Sequence, residues 1–101
     1  MHSLTAIIRA RKADVATVRA ALLNVGAYAR DHEQGTVAFH VAQDPEDPCL
    51  FTTYERFTDK AAMQRHNDGP GSQGFFAAAG ALLDGQVTVV MAEEIWPDAG
   101  A

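Results

Sequence analysis

Two side chains in the segment TTYERFTDKAAMQRH, residues 52–66, have the types and spacing of an acid–base pair. Glu55 alternates with Thr53 and Phe57 on one side of a β-like run, and this side is expected to face the helices. His66 stands near the end of the helix that follows, on its inward stripe. An inward His66 close to Glu55 would form a carboxylate–imidazole pair.

The chemistry open to this pair is proton transfer. His66 can accept a proton from a substrate near neutral pH, and Glu55 can orient the ring or act as a base. Both residues also have a structural interpretation. Glu55 would accept hydrogen bonds at the sheet–helix junction, because an unpaired buried carboxylate is costly. His66 would complement the helix dipole and bond to a carbonyl. The sequence leaves both interpretations open.

Hydrophobic periodicity predicts the elements that position the pair. Alternation of side chains predicts strands over residues 4–11, 36–43, 50–57 and 87–95, with Val37, Phe39 and Val41 on one side of the second strand. Apolar residues at steps of three and four predict helices over three segments: Val15 to Ala29 with Asp14 as N-cap, Asp59 to about Asn67 with Thr58 as N-cap, and Ser72 to Leu83.

The order of these elements predicts an α+β fold. The polar turn DPEDP, residues 44–48, separates the second and third strands by so little that they form an antiparallel hairpin. Right-handed connections applied to the order β-α-β-β-α(α)-β give a ferredoxin-like arrangement, a four-stranded antiparallel sheet with helices on one face. The other face carries too many apolar residues for a solvated surface, so we expect a homodimer through this open sheet face.

Composition narrows the class of protein. The 101 residues fit one domain, 1–101, with a core of about 4–95 and a frayed tail at 96–101. The net charge of −5 and the absence of a basic stripe argue against nucleic acid and membrane partners. Cys49 is the only cysteine, and the four histidines have no short metal-ligand spacing, so we expect no metal. No apolar run approaches the roughly 20 residues of a membrane span, and no signal peptide is visible, so a cytoplasmic protein is expected.

The chain resembles the antibiotic biosynthesis monooxygenase family of dimeric α+β barrels. The resemblance runs from Leu4 to about Ile95 and is carried by four motifs: DPEDP before the third strand, YERF at its end, DKAAMQRH in the next helix and GFFAAAGALL after it. It implies a homodimer, a pocket between sheet and helices, and a small hydrophobic or polyphenolic substrate. His66 matches the family's histidine position.

The resemblance also implies which residues line the pocket. We predict His66 and Glu55 as catalytic residues, with a substrate pocket formed by the following side chains: Thr53, Phe57, Met63, Phe75 and Phe76. In the quinone-forming oxygenases of the family, Asn, Trp and Tyr occupy the positions of Thr53, Phe57 and Met63. This chain therefore keeps the strand-end aromatic residue but lacks the amide, indole and phenol groups at those positions.

The resemblance, together with the acid–base pair, implies a cofactor-independent monooxygenase acting on a small phenolic, quinol or polyketide-like substrate. No metal or flavin is expected, because the deprotonated substrate would itself supply electrons to dioxygen. Two alternatives remain. An isomerase or tautomerase of a small carbonyl compound would need only the proton transfer. A non-catalytic dimeric protein that binds a hydrophobic metabolite would need neither residue for chemistry.

Overall fold

The computed structural model describes residues 1–98. Its strands are β1 (His2–Arg9), β2 (Thr36–Gln43), β3 (Leu50–Phe57) and β4 (Thr88–Glu93), and its α-helices are α1 (Val15–His32), α2 (Lys60–Asp68) and α3 (Pro70–Ala79). Short 3-10 turns precede α1, at Lys12–Asp14, and follow α3, at Gly80–Leu82. β2 and β3 have the predicted bounds. β1 lies two residues earlier than predicted and β4 is shorter, because the pairing of these two strands begins at His2 opposite Glu93.

The four strands form one antiparallel sheet in the order β2-β3-β1-β4. The two central strands are in full register, with Leu4 opposite Glu55 and Ala6 opposite Thr53. The predicted ferredoxin-like α+β fold is confirmed. On β1, the buried residues Leu4, Ala6 and Ile8 all point to one face of the sheet. Residues directly opposite one another on paired strands point to the same face, so Glu55 and Thr53 share that face.

A β-bulge interrupts the alternation at the start of β2. Thr36 lies opposite Phe57 and Ala38 opposite Arg56, so Val37 is the extra residue. Val37 is therefore 46% exposed and does not share the inner side of the strand with Phe39 and Val41, contrary to the prediction. The bulge places Thr36, rather than Val37, beside the end of α1.

The helix starts differ from the predicted ones in their capping chemistry. Asp59, not Thr58, caps α2: its side chain accepts a hydrogen bond of 2.8 Å from the backbone N–H of Ala62. Asp14 precedes α1 as predicted, but its side chain makes no capping bond because the 3-10 turn occupies this position. α3 begins at Pro70, two residues before the predicted start, because proline suits the first turn of a helix, where its missing N–H has no partner to lose.

The core lies between the sheet and the three helices. Its side chains come from β1, the inner stripe of α1, β3 and the two later helices; the largest fully buried ones are Phe51, Phe57 and Val18. The opposite face of the sheet is open and carries Ile7, Tyr54 and Val90, all more than 40% exposed. Every residue of the edge strand β4 is exposed.

Candidate active site

A cavity of about 220 Å³ lies between the inner face of the sheet and the helices. Most of its wall is apolar, from β1, α1 and the aromatic side chains Phe39 and Phe75. Phe76 and Val89, 52% and 44% exposed, stand where the cavity meets solvent. Its polar wall is small and consists of these residues: Thr53, Glu55, His66, Asn67 and Ser72. An apolar cavity with a few convergent polar groups is the usual form of a small-molecule site.

Glu55 is the buried acid of the site. β3 alternation points it inward, and its side chain is 5% exposed. Thr53 Oγ1 donates a 2.7 Å hydrogen bond to Glu55 Oε2. Glu55 Oε1 lies 3.1 Å from His66 Nε2, an ion-pair distance, but it accepts no hydrogen bond from any residue within 1–98. One carboxylate oxygen is thus left with an unfilled acceptor position beside the imidazole ring.

His66 is held on both sides by carboxylates. Its Nδ1 lies 2.6 Å from Glu33 Oε1, a length typical of a charge-assisted hydrogen bond in which the imidazole N–H donates. Thr36 Oγ1 donates to the same Glu33 oxygen at 2.8 Å. The rings of Phe57 and Phe39, 5.2 Å and 5.7 Å from the imidazole centroid, fix its plane. The ring is 3% exposed and therefore has one defined orientation.

This environment raises the pKa of His66 above its ordinary value of 6.5. Burial by itself lowers the pKa, because it disfavours the imidazolium. The contacts with Glu55 and Glu33, together with their negative charges, outweigh burial and favour the protonated ring. Carboxylate oxygens lie within 3.1 Å of both ring nitrogens, and their negative charges favour the doubly protonated ring. In the neutral ring, the remaining proton is on Nδ1 and is donated to Glu33, which leaves a free lone pair at Nε2.

The structure places the predicted site residues in two groups. His66, Glu55, Thr53, Phe75 and Phe76 line the cavity. Phe57 and Met63 are instead buried in the core, 0% and 4% exposed, and neither is part of the cavity wall. The Phe57 ring contacts the His66 ring without reaching the cavity, and it supports the imidazole by packing. The contact between Glu55 and His66, which the sequence could not decide, is present.

Three polar residues of the site were missed by the sequence analysis. Glu33 is one, although it carried a signal: it is the C-cap of α1, where the helix dipole disfavours a negative charge. A carboxylate at such a position needs a compensating partner. Asn67 and Ser72 are the others, and they lie on either side of the break between α2 and α3 at Gly69. No pattern in the sequence singled them out.

Charged residues on the open face of the sheet are paired within the chain. Arg56 donates two hydrogen bonds, of 2.7 and 2.8 Å, to Glu94, and Tyr54 donates a third. These contacts lower the pKa of Glu94 to about 2, chiefly through the Arg56 hydrogen bonds. Arg9 pairs with Asp47 at 2.8 Å. The open face therefore presents neutralised ion pairs around its apolar residues.

The chain belongs to the antibiotic biosynthesis monooxygenase family, whose model matches residues 1–78. Similar solved structures include PA3566 from Pseudomonas aeruginosa, with 26% identity, a TM-score of 0.83 and coverage of 93% of each chain. Rv0793 from Mycobacterium tuberculosis has 20% identity and a TM-score of 0.85, covering 99% of this chain and 98% of its own. A structure named antibiotic biosynthesis monooxygenase has 20% identity and a TM-score of 0.85, covering 94% and 99%. No curated protein sequence gives a significant match.

Two kinds of feature are absent from residues 1–98. No helix in this range has the length and apolarity that a membrane span requires. No group of three or more His, Cys, Asp or Glu side chains in the same range is arranged to hold a metal ion.

Proposed function

We propose that the protein is a monooxygenase that acts without a metal or flavin on a small phenolic or quinol substrate. The observation that carries this proposal is the buried Glu55–His66 pair at the polar end of an otherwise apolar cavity. Membership of the family supports oxygenation as the reaction class. The cavity, at about 220 Å³, is smaller than the roughly 300 Å³ at which pockets for drug-sized ligands begin, so a substrate of one or two rings fits best.

The first step assigned to the site is removal of the substrate's hydroxyl proton. A hydroxyl at the polar wall can donate to Glu55 Oε1, the buried acceptor that no residue fills. The neutral form of His66 then takes the proton at Nε2, 3.1 Å from this oxygen. The N–H that results at Nε2 faces the substrate anion and stabilises it.

The second step uses the electrons of the substrate anion. An electron-rich phenolate can reduce dioxygen directly, and the carbon–oxygen bond forms between the two. The role of the protein is to hold the ring against apolar walls, from which Phe75 and Phe76 project, and to keep water away from the reduced oxygen. The O–O bond of the adduct then breaks together with the C–H bond of the same ring carbon, which leaves one oxygen atom on the substrate. The other oxygen leaves as water with this hydrogen and one further proton, which His66 is placed to return.

Oxygen uptake with no added cofactor, measured across a panel of monocyclic and bicyclic phenols and quinols, tests this proposal. We expect His66→Gln and Glu55→Gln to lower kcat/KM by about 10²–10⁴-fold, the usual contribution of a positioned acid or base. Matched controls are His32→Gln and Glu46→Gln, which alter exposed residues outside the cavity wall. Uptake that is absent across the panel, or equal in all five proteins, would contradict the proposal.

An isomerase or tautomerase is the second candidate. The specific observation in its favour is that the cavity wall contains an acid–base pair but, among the residues that line it, no indole or phenol group. Moving a proton between two positions of a carbonyl compound requires only such a pair. Product formed under anaerobic conditions at the aerobic rate would select this candidate. A ligand that binds without turnover, and whose affinity is unchanged in His66→Gln, would instead indicate a binding protein.

We also infer that the protein is a homodimer through its open sheet face. Support comes from the exposed apolar side chains Ile7 and Val90 on that face and from the internal pairing of Arg56 with Glu94, which removes the charge penalty for covering it. A second copy of the same face offers the same pattern, as a two-fold interface requires. A cytoplasmic location is part of the same proposal.

A further inference from the structure

His66 separates two concave regions of the protein. The inner cavity lies on its Nε2 side, where Glu55 is. A second pocket of about 400 Å³ lies on its Nδ1 side, near the end of α1, and its wall includes Glu33, Arg65 and Gly35. Among residues 1–98, His66 alone is found in the walls of both. The imidazole ring is therefore the partition between the reaction cavity and a surface pocket.

The two carboxylates lie on opposite sides of the imidazole ring. Glu55 is 5% exposed and faces the inner cavity, whereas Glu33 is 14% exposed and faces the outer pocket. Each carboxylate lies within 3.1 Å of its own ring nitrogen. The sequence of atoms from inside to outside is thus carboxylate oxygen, Nε2, Nδ1 and carboxylate oxygen. Such a sequence is the geometry of a proton relay, since an imidazole can accept at one nitrogen while it donates at the other.

We propose that Glu33 is a positioning residue that forms the outer end of a proton relay, Glu55–His66–Glu33, linking the inner cavity to the outer pocket. The direction of proton flow rests on the proposed function, whereas the connection itself does not. Glu33 touches no part of the inner cavity, so its effect on the reaction is exerted through His66.

The proton balance closes over one turnover. A substrate hydroxyl proton passes by way of Glu55 to Nε2 of neutral His66, and the Nδ1 proton passes to Glu33 and from there to water. The ring is then neutral with its proton on Nε2. When water leaves the oxygenated substrate, Nε2 returns this proton to the cavity and Nδ1 regains one from solvent through Glu33. Both carboxylates and the ring recover their initial states, and the ring need not rotate.

Other charged groups around the ring lie on the solvent side. Arg65, the residue before His66 on α2, and His32, at the end of α1, are exposed members of the outer pocket, and Tyr28 also lines it. β2 contributes the uncharged ring of Phe39, and β3 contributes Glu55. Glu33 and Glu55 are therefore the carboxylates in contact with the imidazole, and removal of either one has a separable effect.

The relay is tested first without any ligand, by ¹⁵N NMR of histidine-labelled protein. The exchange of the His66 Nδ1 proton with water is measured in the wild type, Glu33→Gln and the control Asp31→Asn. For each protein, the pH is chosen so that its difference from the His66 pKa of that protein is the same. Asp31→Asn removes a neighbouring carboxylate that pairs with Arg30. We expect exchange to slow about tenfold or more in Glu33→Gln alone, because an amide cannot carry the proton.

A purely structural role of Glu33 predicts the opposite. Loss of the contact would loosen the ring, and exchange in Glu33→Gln would be unchanged or faster, which would overturn the relay. Glu33→Asp keeps a carboxylate but shortens the side chain, and it serves if Glu33→Gln does not fold. In Glu33→Asp the relay predicts exchange slower than in the wild type, and a wild-type rate or a faster one would overturn it.

A second test applies to turnover. Glu33→Ala leaves space in the outer pocket, and added formate should raise its kcat, because formate can take the place of the missing carboxylate beside Nδ1 of His66. A kcat of Glu33→Ala that added formate does not raise would overturn the relay. A wild type that consumes no oxygen with any substrate would instead refute the proposed function, and the NMR result would still decide whether the relay exists.

Discussion

Glu33 and His66, 33 residues apart in the chain, are joined by a contact of 2.6 Å between Oε1 and Nδ1. The contact links the end of α1 to the last turn of α2. Each residue reduces an electrostatic penalty of the other. The imidazolium offsets the unfavourable position of the Glu33 carboxylate at a helix C-terminus, and the carboxylate offsets the burial of the His66 charge. The site is thus part of what holds the two helices together, and its protonation state must affect stability.

The first prediction concerns the pH dependence of stability. The pKa of His66 is raised in the folded protein, so the protonated ring is favoured by folding. This contribution is fully present below the unfolded value of about 6.5 and is lost as pH rises through the folded pKa. Urea unfolding between about pH 6 and pH 9 should therefore show stability falling with pH. Glu33→Gln should reduce this fall, and an equal slope in both proteins would contradict the prediction.

The second prediction concerns Gly35, where α1 turns into β2. A Cβ at this position would lie 2.5 Å from Ala62 Cβ, so Gly35→Ala forces α2 away from the end of α1. We expect a loss of about 1–3 kcal/mol in unfolding free energy, as for other overpacked sites, and a lower pKa of His66 because its contact with Glu33 lengthens.

Gly74 supplies the matched control for that change. It lies inside α3, and a Cβ there would meet nothing within 4 Å. Gly74→Ala should therefore stabilise the protein by about 0.5–1 kcal/mol, the difference in helix propensity. Chemical denaturation measures both variants, and NMR titration measures His66. Equal effects of the two substitutions would show that contact with Ala62 is unimportant.

The third prediction concerns Glu94 and the end of β4. Its pKa of about 2 means that the carboxylate stays ionised in acid, held by Arg56 and Tyr54. Because the folded pKa lies below the ordinary value of 4.5, the pair stabilises the fold above that pH, and this contribution is lost as pH falls through about 2. Arg56→Gln should return the pKa of Glu94 towards 4.5 in a ¹³C NMR titration. Arg9→Gln, which breaks the other ion pair of this face, should leave it unchanged.

The fourth prediction tests the dimer. Val90 lies opposite Thr5 on the open face and is 57% exposed. Val90→Glu should shift the protein from dimer to monomer in sedimentation experiments, since an unpaired charge in an interface is strongly unfavourable. Leu23→Glu is the control, because Leu23 is exposed to a similar degree, 47%, but lies on α1, which packs on the opposite face of the sheet. Dissociation by both substitutions, or by neither, would exclude the open face as the interface.

The strands were predictable because alternation is a local property. β2 and β3 have the predicted bounds, and the inward direction of Glu55 follows from its phase relative to Phe51 and Phe57. The helix termini were less predictable. Thr58 and Asp59 are both good N-caps, and the choice between them depends on the backbone angles at which the chain leaves β3. The bulge at Val37 likewise arises from pairing with β3, which the sequence of β2 alone does not encode.

The sequence by itself determined the sheet, the helices on one face and the inward direction of Glu55 and His66, because periods of two and 3.6 residues fix which side each residue occupies. Only the tertiary structure decided that Glu33 completes the pair, that Asn67 and Ser72 join the cavity wall, and that Phe57 and Met63 do not. These contacts join residues far apart in the chain, and their distances depend on how α1 and α2 pack on the sheet. Local periodicity gives a side chain its direction, but packing between elements gives it its neighbours.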